Sequence, residues 1–162
     1  MKSFIKGLLI SSFGFCFSCV EPFPELPPET QSGAGTFGCL VNNELVFANN
    51  LNNRPDAEAE YNQNVDQLQI RARCQFGQQF VFLINDPYKK QDMLIDTIRY
   101  LPPNSNEWME STQTDRFQIT RIDNINSGFK IVSGNFFFDM NENGKTPVHI
   151  TKGRFDLKLY IY

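Results

Sequence analysis

Histidine is nearly absent from the sequence, which contains one, His149, in 162 residues. There is also no G-x-S-x-G motif, so a nucleophilic hydrolase is disfavoured, because such an enzyme needs a base beside its nucleophile. Cysteine is scarce as well: beyond residue 19 only Cys39 and Cys74 remain, without the close pairing of zinc sites. The composition therefore predicts neither a metal nor a cofactor.

Long hydrophobic runs are also missing. The apolar stretch Gly7–Phe17 has eleven residues, and no second run of that length follows. A membrane-spanning helix needs about 20. Because Lys2 and Lys6 precede this stretch, residues 1–18 are predicted to be an export signal peptide.

The end of the signal peptide contains a small residue followed by a cysteine, Ser18-Cys19. This junction resembles the lipobox of bacterial lipoproteins, in which the thiol is acylated and the cysteine becomes the new N-terminus. The sequence departs from the usual box at Cys16, where Leu is common, and at Phe17, where Ala or Ser is. The resemblance implies a membrane anchor of diacylglycerol and palmitate-type chains on Cys19.

Without residues 1–18 the chain carries 13 basic and 18 acidic residues, a net charge of −5. This charge disfavours nucleic acid and anionic membrane surfaces as direct partners. Residues 19–35 are rich in proline and lack apolar periodicity, so they predict a lipidated N-terminus and a flexible tether. If fully extended, the sixteen residues 20–35 reach at most about 50 Å from the lipid on Cys19.

Helical periodicity is lacking outside the signal, and alternating apolar residues dominate the rest of the chain. Residues 36–162 are therefore predicted to be one all-β domain, an antiparallel β-sandwich or open barrel of about eight or nine strands. The loops are expected at 49–64 and 104–115. The strands are expected at 36–41, 44–47, 65–74, 78–84, 93–101, 117–122, 129–140 and 148–162.

Two motifs are interpreted as structural. Gly33–Gly38 matches G-x-G-x-x-G, but a dinucleotide site needs a strand before it and a helix after it, so Gly33 and Gly35 are interpreted as linker glycines. Asp139–Gly144 matches half of an EF-hand loop, but Ile150 occupies the position of the bidentate glutamate. A hairpin turn is predicted there instead.

The remaining candidate chemistry depends on carboxylates. A glycan hydrolase needs two facing acids, and Asp139 and Asp156 are the acids that fall on predicted strands. Asp156 alternates with apolar residues, so its side chain is expected to be solvated. No catalytic residue is therefore assigned.

Cys39 and Cys74 lie on predicted inward faces of two strands. An exported compartment permits a disulfide between them, and two buried thiols are the alternative. The aromatic residues Tyr88, Tyr100 and Trp108 lie in the long segment 85–115. They are either a stacking surface for sugar rings or anchors that hold the segment on the sheet.

Three stretches together carry a family resemblance: GTFGCLVNNELVF, FQITRIDNINSGFKIVSGNFFFDM and VHITKGRFDLKLYIY. They resemble an uncharacterised family of Bacteroidota lipoproteins with a TFGCLVNG-like start, an ISGTFxF strand and a terminal ITxGRFD strand. The sequence departs from that pattern at Asn43, at Val132 in the ISG step and in the longer segment 85–115. The resemblance implies an all-β envelope lipoprotein and no known activity.

These observations favour a non-catalytic binding or accessory module anchored by lipid to the outer membrane. Its domain faces either the periplasm or the cell surface, and its partner is a glycan or an envelope protein. A glycan-binding or glycan-active surface protein is one alternative. A lipocalin-like carrier of a small ligand is the other, and a large apolar cavity would distinguish it.

Overall fold

The computed structural model describes residues 25–48, 56–88, 95–111, 116–124, 128, 130–141, 144 and 146–162. In these residues ten strands form one sheet. The strands are β1 Thr36–Val41, β2 Glu44–Phe47, β3 Ala57–Asn62, β4 Gln67–Arg73, β5 Gln79–Asn85, β6 Thr97–Leu101, β7 Met109–Ser111, β8 Arg116–Ile122, β9 Ile131–Met140 and β10 Val148–Ile161.

The last strand, β10, organises the sheet. Its whole first part pairs with β9, from Val148 opposite Met140 to Lys158 opposite Ile131. On its other edge β10 pairs first with β1, antiparallel, and then with β3, parallel. Strands β4 to β7 continue from β3, and β8 extends the sheet beyond β9. The sheet curls into a half-barrel, as expected from the twist of strands accumulated over so many neighbours.

The concave side of the sheet is filled by phenylalanine rings. Phe82 is fully buried and lies with its ring centroid 5.1 Å from that of Phe136 and 5.6 Å from that of Phe117. The ring centroid of Phe37 lies 5.3 Å from that of Phe80 in the same cluster. Since each ring carries a large apolar area, this aromatic cluster is the main source of hydrophobic stabilisation.

The predicted all-β class and its open-barrel form are confirmed. The parallel pair of β3 and β10 was not predicted, so the sheet is mixed rather than wholly antiparallel. β3 and β7 occupy segments that the sequence predicted to be loops. β3 was missed because its inward residues include the small Ala57 and Ala59, which give a weak apolar signal.

Residues 26–34 form a segment that we call the strap. It crosses the convex side of β9 and β10 before the chain turns into β1. The strap makes hydrogen bonds with β10 and with Arg121 of β8, which donates to the carbonyl of Gln31. Residues 30–34, expected to belong to a free tether, are instead packed on the domain.

Candidate functional site

The strap is held by one carboxylate, Asp156 of β10, whose side chain is 1% exposed. Its neighbours Phe155 and Leu157 point into the core, so Asp156 lies on the convex side, as the sequence predicted. The expectation that it is solvated is wrong, because the strap covers it. It accepts hydrogen bonds from Thr30 Oγ1 (2.6 Å), Ser133 Oγ (2.7 Å), Gly33 N (2.8 Å), Ser32 N (2.9 Å), Ser32 Oγ (3.2 Å) and Ala34 N (3.2 Å).

These bonds determine the charge state of Asp156. Burial alone raises the pKa of a carboxyl, because it disfavours the charged form. Here the hydrogen bonds from Thr30 and Ser133 and from the backbone of Ser32 and Gly33 outweigh burial, and the pKa of Asp156 lies far below its usual value. Asp156 is therefore ionised throughout the neutral and mildly acidic range.

Glycines bring the strap close to the sheet. Gly33 and Gly35 have φ of 71° and 74°, a conformation that favours glycine. A Cβ on Gly38 would lie 2.6 Å from Cδ of Pro27, so only glycine permits this approach. The glycines of the G-x-G-x-x-G match are thus fixed parts of the strap and its contact with β1, and not flexible linker residues.

A cleft of about 260 Å³ lies between the strap and strands β9 and β10. Arg154 lines it, and the Nε of this residue is shielded from solvent without a hydrogen-bond partner, as is the Nε of Arg71 elsewhere on the sheet. The lining residues are Pro28, Glu29, Thr30, Gln31, Gly134, Asn135, Arg154 and Phe155. Charged and amide groups from the strap and from the sheet converge there on a small concave site.

The ion pairing of Arg154 is unusually loose. Glu29 Oε1 lies 3.7 Å from Arg154 Nη1, beyond hydrogen-bond length, and the Glu29 side chain is 66% exposed. By contrast, Arg71 contacts Glu60 at 2.7 Å and Arg121 contacts Asp123 at 2.8 Å. Arg154 is the guanidinium in the described part of the chain that lines this cleft, and it retains unused donor capacity.

The three aromatic residues considered either as a stacking surface or as anchors of the segment 85–115 differ in their exposure. Tyr100 is 2% exposed and packs 4.9 Å from the ring of Phe80, so it belongs to the core and not to a ligand surface. Tyr88 packs edge-on against Tyr61 at 5.1 Å and donates a hydrogen bond to the carbonyl of Asp123. Trp108 retains 39% exposure before β7.

Cys39 and Cys74 carry free thiols in the structure. Cys39 is fully buried, and Cys74 lies near enough to influence its ionisation. Burial raises the pKa of the Cys74 thiol to about 12, with a smaller contribution from Asp56. Both thiols are therefore protonated and poor nucleophiles at neutral pH. The disulfide between them stays a prediction.

The strand carboxylates do not face each other as an acid and a base. Asp139 Oδ1 lies 2.8 Å from His149 Nδ1 in an exposed cross-strand pair, while Asp156 is enclosed by the strap. Within the described ranges, no group of three or more metal-ligating side chains is found. Cys19 lies outside the described residues, as do the predicted loop residues 49–55.

No family model, curated protein or solved structure matches this chain. The resemblance to Bacteroidota lipoproteins therefore stays a prediction. The described part of the chain contains no helix of the length and apolarity that a membrane span requires.

Sequence reasoning missed the cleft for a definable reason. Arg154 alternates with core residues of β10, and such a pattern alone indicates an ordinary outward side chain. The residues that enclose it, Pro28–Gln31, precede it by more than a hundred positions. The one available signal was the cluster Thr30, Ser32 and the two glycines after the prolines, because such residues supply donors and tight turns.

Proposed function

We propose that this chain is a lipid-anchored protein of the bacterial outer membrane whose β domain is a non-catalytic binding module. The signal peptide and the Ser18-Cys19 junction support the anchor. The observation that carries the binding role is the cleft between the strap and the sheet, which is lined by Arg154 with its ion pair to Glu29 longer than a hydrogen bond.

The strap also limits how far the domain lies from the lipid. If Cys19 is acylated, six residues separate it from the first strap residue, Leu26, so the chain between them has seven Cα–Cα steps. At 3.3 Å per residue these reach at most about 23 Å, less than half of the span expected for a tether through residue 35. The cleft would then lie close to the membrane, on whichever face the domain occupies.

Fatty-acid labelling tests the anchor. Cells grown with an alkyne-bearing palmitate analogue are expected to label the wild-type protein and not the Cys19→Ala variant. Cys39→Ala is the matched control, because Cys39 is a buried core thiol and its loss leaves the lipidation junction intact. An unlabelled wild type would overturn the anchor.

Protease treatment of intact cells then separates the two faces of the membrane. Digestion of the domain without lysis indicates the cell surface, and protection until lysis indicates the periplasm. Either result is compatible with the anchor, but only the first is compatible with a partner outside the cell.

Glycan binding elsewhere on the domain is the second candidate function, favoured by the exposure of Trp108. Since Trp108 is the only tryptophan of the chain, its fluorescence reports directly on that site. Saturable quenching by a neutral oligosaccharide, lost in Trp108→Leu, would support this function. Unchanged fluorescence across a panel of such sugars would exclude glycan binding at Trp108.

The lipocalin-like alternative has less support. A carrier of that kind needs an apolar cavity within the barrel. The concave side of this sheet is occupied by the rings of Phe37, Phe82 and Phe136, whose centroids lie 5.1 to 6.2 Å apart.

A further inference from the structure

The cleft under the strap is lined by an arginine whose hydrogen-bonding capacity is not fully used. Arg154 Nε is shielded from solvent and lacks a partner, as does Arg71 Nε elsewhere on the sheet, and Arg154 Nη1 lies 3.7 Å from Glu29 Oε1 without a hydrogen bond. The guanidinium is a planar fork that matches the two oxygens of a carboxylate. An acceptor that enters the cleft would therefore meet a guanidinium that is not hydrogen-bonded to its neighbouring carboxylate.

The position of Glu29 indicates the chemistry of that acceptor. Its carboxylate lies at the rim of the cleft, 3.7 Å from Arg154 Nη1, on a side chain that is mostly exposed. This is an internal carboxylate placed near the guanidinium without bonding to it. A ligand carboxylate can replace it at small cost, because a loose and solvated ion pair contributes little to stability.

The other polar groups of the cleft suit hydroxyls. Asn135 and Gln31 line it, and their amides both donate and accept hydrogen bonds. The volume, about 260 Å³, lies just below the range of roughly 300–1,000 Å³ that holds drug-sized ligands. A multiply charged phosphate fits less well, because Glu29 and the ionised Asp156 both lie on this side of the sheet.

We propose that the cleft binds the carboxylate of a small hydroxylated acid, the size of one sugar acid, with Arg154 as its anchor. Glu29 occupies the rim in the empty protein and moves away when the ligand binds. This inference rests on the proposed binding role of the domain and names its ligand class.

The test is calorimetric titration of the full chain, purified in detergent, with D-glucuronate, and with D-glucose as the neutral match. Glucuronate is expected to bind and glucose to bind at least about 10-fold more weakly, because hydrogen bonds between two charged groups are roughly twice as strong as those between neutral groups. Arg154→Gln is expected to weaken glucuronate binding by a similar factor. Arg99→Gln is the matched control and is expected to change nothing, since Arg99 pairs with Glu110 on a distant part of the sheet.

Glu29→Gln supplies a test that does not depend on the folding of the Arg154 variant. Removing the competing carboxylate is expected to tighten glucuronate binding about two- to fivefold. Glu29 is exposed, so this change leaves the fold intact.

Three results would overturn the proposal: no saturation by glucuronate up to about 10 mM, equal binding of glucose, or weaker binding in Glu29→Gln. None of these results tests the lipid anchor, which fatty-acid labelling of Cys19 tests separately. Binding of inorganic phosphate in preference to glucuronate would also overturn it, because the site would then select phosphate rather than a carboxylate.

Discussion

A buried carboxylate stays ionised only when hydrogen bonds replace the water that it loses. Asp156 accepts six such bonds. Asp156→Asn keeps the shape but turns one acceptor oxygen into a donor that faces the N–H and O–H groups of the strap. We expect the free energy of unfolding to fall by about 2–4 kcal/mol. Urea titration followed by circular dichroism measures this loss.

The matched control is Asp139→Asn, the same substitution on the neighbouring strand β9. Asp139 is exposed and pairs with His149 across the strands. Its loss is expected to change stability by no more than about 0.5 kcal/mol. Equal effects of the two substitutions would show that the strap is not held by Asp156.

The low pKa of Asp156 makes part of the stability depend on pH. The carboxyl has a lower pKa in the folded protein than in the unfolded chain, where it is about 3.9. Its contribution is therefore complete above about pH 5 and declines as the pH falls below about 4 toward the folded-state pKa. The stability difference between wild type and Asp156→Asn is expected to narrow between pH 7 and pH 3. A constant difference in urea titrations would contradict this assignment.

Phe76 is the other residue under local constraint. It lies at the tip of the hairpin between β4 and β5, with φ of 61° and 78% exposure. A bulky residue with positive φ is strained, and so much exposure provides little packing in return. Phe76→Asn is expected to raise the melting temperature, with a gain of about 0.5–1.5 kcal/mol. A loss of stability would show that the Phe76 ring packs against the protein in solution. Val65→Asn is the control for replacing an exposed apolar side chain by a polar one without a change in backbone strain.

The strap is the element in which backbone and side chains act together. Its approach to β1 depends on Gly38, where a Cβ would meet Pro27 at 2.6 Å. Gly38→Ala is expected to push the strap outward and to speed hydrogen exchange at the amides of Ser32, Gly33 and Ala34, which now donate to Asp156. Gly128→Ala is the control, since a Cβ there meets nothing within 4 Å. Unchanged exchange in Gly38→Ala would mean that the strap is held independently of β1.

Strands with strong local patterns were predictable, and contacts between distant segments were not. β1 and β2 have the predicted bounds, and Asn42 and Asn43 between them have the positive φ expected of their turn. Alternation also placed Phe155 inside and Asp156 outside. It carries no information on whether another segment covers an outward residue, so the burial of Asp156 was missed.

The same limit applies to the candidate site. The sequence identified Tyr88, Tyr100 and Trp108 because their residue type suits sugar rings, but residue type alone does not determine burial, and Tyr100 lies in the core. Arg154 had no distinguishing local signal. Arg154 is a candidate site residue because it lines the cleft between the strap and strands β9 and β10.

At the scale of the whole molecule, the folded domain begins earlier in the chain than the sequence predicted. The sequence predicted that the folded part begins at residue 36, whereas the contacts of the strap extend it to Leu26. The strap and β10 come from opposite ends of the chain, so their contact closes the fold. A domain of this size normally unfolds as one cooperative unit, and the strap should unfold with it.

Two truncations of the chain without its signal peptide test this boundary. Removal of residues 19–24 leaves the strap complete and is expected to leave the urea midpoint unchanged. Removal of residues 19–34 deletes the strap donors to Asp156, leaves the Ser133 donor of β9, and is expected to cost at least about 2 kcal/mol, because several hydrogen bonds to a charged group are lost together. Both transitions should remain single and cooperative. If the longer truncation is as stable as the shorter one, residues 26–34 are an appendage on a domain that begins at residue 36. If only the longer truncation is destabilised, the strap is an integral part of the fold, and the cleft beneath it is a fixed feature of the folded molecule.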